Sequence, residues 1–300
     1  MAANIIKRIS SPLGWRRRID RVAYPLRRAL RKPFLPKLSD DYAKILANLE
    51  RDAIHVCRIQ DLQLPETEAF WADVEKLKAE VRNEPSLDLG GYFAEDIYSY
   101  HVPYETISVK GPNFILWALS NQLLDLTECY LGEPACLIAV DYRRDLNQGA
   151  DVGNRKFHVD ILDVAWRRAL KVCVYLSDVD ENTPALEYVP ENLLPPRSKV
   201  SRGFFYAKEI EEQVPKSKWV PVYGPKGTVI ISPLNRLWHH ARTPDCPDTT
   251  RYSAWFTYTS RDNLMPSDRK NDFSRKAFDL IENSLNKRQR ESLWWYGLKT

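Results

Sequence analysis

The chain's 300 residues, 44% of them hydrophobic, suffice for one large domain or two small ones and exclude a largely disordered polymer. Its five cysteines (Cys57, Cys129, Cys136, Cys173, Cys246) are odd in number and lack CxxC spacing, which argues against a disulfide framework and a thiolate zinc site. The net charge of +4 is uneven: residues 1–38 hold eleven Lys/Arg against the single acid Asp20, a local +10, leaving the remainder at about −6 by subtraction.

The first 38 residues read as a basic arm. Ile5, Ile6, Ile9, Trp15, Val22, Tyr24, Leu26 and Leu30 alternate with arginines, and prolines at 12, 25, 33 and 36 divide the arm into short pieces. Three roles are open to it: a solvated arm lying on the acidic body, a segment attracted to an anionic membrane with Trp15 as anchor, or a targeting segment. No apolar run is long enough to span a bilayer and no signal-peptide core follows the start. The expected location is cytoplasmic, with peripheral membrane contact as one use of the arm, and nucleic acid is not an expected partner.

Residues 39–300 read as one domain with a helical lead-in over 39–133. Asp40 or Asp41 can cap a helix through Leu49, and Ala53–Cys57 reads as a strand whose His55 is structural. Thr67 can cap a helix carrying Phe70, Trp71, Val74, Leu77 and Val81 at 3.6-residue spacing. Phe114–Leu131 reads as one apolar helix ended by Gly132 and Pro134. Over 134–260 the texture becomes β-rich, with runs at 136–142, 157–162, 170–176, 186–189, 219–222, 228–232 and 252–259. Short strands punctuated by Pro, Gly and Asn predict an antiparallel sandwich or jelly roll, hence a mainly β, α+β fold with flanking helices. A capped helix is expected over 267–290, followed by the aromatic run Leu293-Trp294-Trp295-Tyr296 docked on the body.

The candidate chemistry starts at Arg155-Lys156-Phe157-His158-Val159-Asp160. In a strand, i and i+2 share a face, so His158 and Asp160 point together as two-thirds of a 2-His-1-carboxylate metal face. A second imidazole is offered by Leu237-Trp238-His239-His240-Ala241-Arg242-Thr243-Pro244. Only one of two neighbours in a strand can face a metal. The spacing to Arg251 and to Pro244 favours His240, whereas counting forward from Gly227 suits His239; His240 is taken as the ligand. Arg251 and Ser253 share strand parity and could hold a carboxylate, guanidinium matching it bidentately. Lys171 and Tyr175 also share parity and either reach a co-substrate or pack in the core. Tyr142 and Arg143 are candidate substrate contacts, and Arg167-Arg168 reads as a solvated turn.

In this order the residues resemble the phytanoyl-CoA dioxygenase-like group of Fe(II)/2-oxoglutarate-dependent oxygenases. The match covers about 134–260 and rests on the HxD at His158 and Asp160, on Lys171–Asp180, on Asn182–Pro190, and on a distal His with an Arg about eleven residues later. The pattern departs from the family at Asn182-Thr183-Pro184, where members have Asn-Gly-Pro, and at Pro190–Leu193, where they have Pro-Gly-Ser-His. The resemblance implies a double-stranded β-helix (cupin-like) core, Fe(II) bound by His158, Asp160 and His240, and 2-oxoglutarate held by Arg251. It also implies use of O2, with 2-oxoglutarate converted to succinate and CO2 while an unactivated substrate C–H is hydroxylated. The carboxylate at position 160 points to hydroxylation rather than halogenation. The substrate is expected to be a small molecule or a carrier- or lipid-linked one. Two other readings are a hydrolytic or isomerising cupin-like metal protein, and a non-catalytic jelly roll docked to membrane by its basic arm.

Overall fold

The fold is described from a computed structural model, in which residues 12–81, 99–146, 155–160, 168–195, 203–244, 246, 249–261 and 275–293 are placed. Among the described residues there are nine α-helices and nine strands. They are α1 (Pro12–Arg31), α2 (Asp40–Asp52), β1 (His55–Arg58), α3 (Thr67–Lys78), β2 (Ser99–His101), α4 (Tyr104–Lys110), α5 (Pro112–Ala118), α6 (Asn121–Leu131) and β3 (Ala135–Leu146). They continue with β4 (Leu170–Tyr175), β5 (Leu186–Tyr188), α7 (Ala207–Glu211), β6 (Val220–Val222), β7 (Thr228–Ser232), β8 (His239–Ala241), β9 (Thr250–Ser260), α8 (Arg275–Ile281) and α9 (Lys287–Leu293).

The strands form two antiparallel sheets. The larger has the order β1-β7-β4-β9-β3-β2 and the smaller β6-β5-β8. Beyond β8 the smaller sheet is extended by single bridges, His158 to His239 and then Phe157 to Phe205. The α+β class read from the sequence is therefore present, and two antiparallel sheets are consistent with a jelly roll.

Side-chain alternation along the large sheet divides the interior. Val172 and Val174 of β4, Val229 and Ile231 of β7, and Ala254, Phe256 and Tyr258 of β9 face the helices, packing with Leu49, Phe70, Phe114, Trp117 and Phe278. The intervening Cys173, Tyr175, Ile230 and Trp255 meet Leu186 and Val222 of the small sheet. A third cluster, with Phe157, Val189, Ile210, Trp219 and Trp238, covers the other face of the small sheet. On β3 the register against β9 shifts between Leu137 and Ala139. This bulge lets Leu137 and Val140 both join the helix-side core, and it turns Ala139, Asp141 and Arg143 toward the space between the sheets.

Several elements depart from the sequence expectations. α2 is capped by Ser39, whose Oγ accepts from the Tyr42 amide at 3.5 Å, so Asp40 and Asp41 occupy the first turn instead. Thr67 opens α3 without capping it. The single helix expected over 114–131 is two, α5 and α6, because the chain leaves helical geometry at Leu119 and Ser120 before restarting. Gly132 ends α6 in the left-handed region, φ 71°. Pro25 does not divide the arm, since α1 runs through it for 20 residues, whereas the helix starts at Pro12 and ends at Arg31, before Pro33. Arg168, read as solvated, instead pairs with Glu50 and donates to the Tyr130 carbonyl at 3.0 Å. The expected strand residues 161–162, the start of the C-terminal helix over 267–274, Arg167 and the aromatic run 294–296 lie outside the described residues. No described helix is long and apolar enough to cross a membrane.

Candidate metal centre

A cavity of about 320 Å³ lies between the sheets, its walls including Asp141, Arg143, Lys171, Leu234, Trp255 and Thr257. On the small-sheet side His158, Asp160 and His239 converge, each offering one donor atom within 4.8 Å of the others. The bridge between His158 and His239 is what brings them together. Their backbones exchange two 3.0 Å hydrogen bonds and their rings lie 4.3 Å apart. Asp160 is tied to the same neighbourhood by its amide, which donates to the Leu234 carbonyl at 3.2 Å.

The two imidazoles are oriented alike. His158 Nδ1 lies 2.9 Å from the Lys156 carbonyl, and His239 Nδ1 lies 3.1 Å from the Leu237 carbonyl. A carbonyl only accepts, so each Nδ1 carries the proton and each Nε2 keeps its lone pair. Such tethering of the non-ligating nitrogen fixes tautomer and ring orientation at metal sites. His239 Nε2 lies 3.8 Å from Asp160 Oδ1.

The electrostatics favour the deprotonated, ligand-ready forms. Burial, reinforced by the neighbouring His158, pushes the His239 imidazole down to about 3. Burial lowers His158 as well. Burial alone would raise the Asp160 carboxyl, but Lys171, His239 and His158 together outweigh it and hold the group well below the usual carboxylate range. Lys171 Nζ lies 2.7 Å from Asp160 Oδ2.

His240, taken from its spacing as the second imidazole of this face, borders the cavity but is not one of the three converging groups. Strand parity sends it to the opposite side of the small sheet, where its ring stacks on Phe157 at 3.8 Å between centroids. Its Nδ1 meets the Arg155 carbonyl at 2.9 Å and its Nε2 meets Glu187 at 2.8 Å. Both nitrogens thus face acceptors and neither offers a lone pair to the cavity. The residues between β8 and β9 lie partly outside the described ones, so the spacing to Arg251 is not traced through the structure.

Arg251 and Ser253 do share the cavity-side face of β9, as their spacing predicts. Arg251 is almost fully buried, with Nε and Nη2 donating to Asp145 Oδ2 at 2.9 and 2.6 Å. Ser253 Oγ lies 3.3 Å from the same oxygen. Asp145, which sequence reading missed, thus already holds two guanidinium nitrogens. Burial would raise its carboxyl, but Arg143 and Arg251 overcome this and depress it to about 2. The third nitrogen, Arg251 Nη1, is buried without a hydrogen-bond partner. Arg143 adds a second positive group, its Nε 3.4 Å from Asp145 Oδ1 and its guanidinium carbon 4.6 Å from the centre of the Trp255 ring.

Of the other candidates, Arg143 lines the cavity but Tyr142 does not. It faces the helix-side core, its ring 5.7 Å from that of Phe114. Tyr175 is structural: its hydroxyl donates to the Val222 carbonyl at 2.9 Å and accepts from the Leu186 amide at 3.2 Å, joining the sheets. His55 contacts Asn48 at 3.0 Å and is not among the residues lining the cavity. A further polar chain reaches the rim from β2, where Ser99 Oγ, His101 and Asp141 are linked at 2.7 and 2.5 Å. The β2–β3 pairing builds it, and no sequence signal placed residues 99 and 101 beside Asp141.

No protein-family model matches the chain, and no curated protein matches it. Among the solved structures the fold is similar to those of two proteins. AviO1 from Streptomyces viridochromogenes Tue57 is 19% identical over 77% of this chain and 99% of its own, with a TM-score of 0.50. SnoN, described as a non-haem 2-oxoglutarate-dependent epimerase of nogalamycin biosynthesis, is 20% identical over 73% of this chain and 81% of its own, also at 0.50. At these identities the likeness establishes architecture.

Proposed function

We propose that this chain is an Fe(II)- and 2-oxoglutarate-dependent dioxygenase that hydroxylates an unactivated C–H bond. The convergence of His158, Asp160 and His239 carries the reading: two imidazole lone pairs and one carboxylate on one face suit iron(II) and leave its other side open to the cavity. His239 replaces His240 in this role.

The residues also fit the co-substrate. Arg251 lines the cavity beside Arg143, and its Nη1 is buried with no hydrogen-bond partner, a free donor aimed at an acceptor the chain does not supply. A carboxylate oxygen is an acceptor that a guanidinium donor of this kind can take. Arg251 would hold the far carboxylate of 2-oxoglutarate, and the buried walls would keep bulk water away from the substrate C–H. When bound, iron with 2-oxoglutarate and O2 supplies the oxidising power, and the chain supplies ligands, orientation and a dry pocket. SnoN is named an epimerase on the same fold, so product analysis is part of the test.

Anaerobic addition of iron(II) and 2-oxoglutarate is expected to give the charge-transfer absorption of a chelate in the wild-type chain and in His240→Ala, but not in His239→Ala. With oxygen, succinate release should require iron(II). Retention of the band in His239→Ala together with its loss in a folded His240→Ala would overturn the ligand assignment. Succinate release without iron would overturn the reaction class. The chemistry of the substrate is best approached by screening metabolite extracts for stimulated succinate release, with mass spectrometry separating a gain of one oxygen from an epimer of unchanged mass.

A further inference from the structure

The amphipathic face of α1 points the wrong way for a core helix. Trp15, Ile19, Val22, Leu26 and Leu30 recur at spacings of four and three, within about 80° of the helix circumference at 3.6 residues per turn. All five are exposed, from 56% to 76%, and Phe34, just past the helix, is 86% exposed. Together they form a continuous apolar ridge along the outside of the molecule, an arrangement that marks an interaction site on a water-facing surface.

The opposite side fixes this orientation. Tyr24 is buried and its hydroxyl donates to the Leu131 carbonyl at 3.2 Å. Arg27 joins two buried carboxylates, Asp20 at 3.0 Å and Glu133 at 2.8 Å. Gly132 lies against Arg28, closely enough that a Cβ there would come within 2.7 Å of the guanidinium Nε. The helix is therefore pinned by its polar side, and its apolar side cannot turn inward without breaking these contacts.

Charge selects the occupant. Arg18, Arg21, Lys32 and Lys37 are exposed on or just beyond the helix, and its one acid, Asp20, is buried in the ion pair with Arg27. A second copy of this face would bring the same uncompensated cations into contact. An acyl layer beneath anionic headgroups matches both the ridge and its flanks, with Trp15 at the depth where indoles settle. We infer that α1 is a pre-ordered, in-plane docking helix that seats the protein on anionic lipid membranes through Trp15, Ile19, Val22, Leu26, Leu30 and Phe34. This is independent of the chemistry in the cavity.

The test uses the full chain and flotation with vesicles of phosphatidylcholine and phosphatidylglycerol in equal parts, or of phosphatidylcholine alone. Flotation is expected with the anionic vesicles and should weaken as salt is raised. Arg18→Gln with Arg21→Gln should lower the affinity about thirtyfold, at about 1 kcal/mol per surface cation. Ile19→Asp with Leu26→Asp should lower it at least about a hundredfold by removing the buried apolar area. Both pairs sit on the solvent side, and circular dichroism with unchanged melting verifies folding. Absence of flotation overturns the proposal, as does equal binding to phosphatidylcholine alone that the arginine substitutions leave unchanged. A dimer in light scattering that Ile19→Asp with Leu26→Asp dissolves, without lipid binding, would assign the ridge to self-association instead.

Discussion

At His158 and His239 the Nδ1 proton is tied to a carbonyl two residues back, and this small repeated bond decides what each ring can do. His240, one residue along, spends both nitrogens on the Arg155 carbonyl and Glu187. Its replacement should therefore appear in stability: His240→Ala leaves Glu187 buried without its partner and should cost about 3 kcal/mol, read as a lowered unfolding midpoint. Lys171 gives a test of opposite sign. Its ammonium sits on Asp160 and competes with any metal for that carboxylate. Lys171→Gln should raise the affinity for iron(II) or cobalt(II) about tenfold, and a loss of affinity in metal titration would contradict this. Asp145 supplies the pH dependence. Its folded-state pKa, about 2, lies below the ordinary 3.8, so its contribution to stability is complete above pH ~4 and disappears as pH falls toward 2. In acid-unfolding titrations the gap between wild type and Asp145→Asn, about 2 kcal/mol near neutrality, should close over that window.

Elements that bury one face were legible from the sequence, and elements defined by their partners were not. β4, β7 and β9 alternate between helix-facing residues and cavity-facing ones, and period-two reading found all three within two residues of their ends. The pairing of Arg251 with Ser253 follows from that same periodicity, whereas His158 and Asp160 meet where only single bridges, at Phe157 and His158, replace the expected strand. His239 and His240 are neighbours on one strand, and period two says that they face opposite ways without saying which one faces the cavity. Asp145 and the Ser99–His101–Asp141 chain acquire meaning only when β2, β3 and β9 are side by side. Pro25 misled the reading of α1, since the amide it lacks and the carbonyl it displaces lie on a helix side open to water. The docking of α1 can be tested at Arg27: Arg27→Met removes the guanidinium that joins the buried carboxylates of Asp20 and Glu133 and should cost about 3 kcal/mol in chemical denaturation.

Across the whole molecule, a helical layer buries one face of the large sheet and frees its other face to line the cavity. The candidate metal group lies beside the small sheet and Arg251 and Arg143 on the large one, so the cavity is complete only when both sheets are in place. This architecture has a kinetic consequence. Asp145 and Arg251 meet across 106 residues of chain, and β3 pairs with β9 along nearly the whole length of both strands. Loops of that size close slowly, and mixed folds dominated by distant pairings reach the native state in milliseconds to seconds rather than microseconds. The helices of the lead-in can form early from local contacts, whereas the cavity exists only after the last strands have closed the sheet. A chain emerging from the ribosome thus completes β9, and with it Arg251, after every other wall of the cavity has been synthesised.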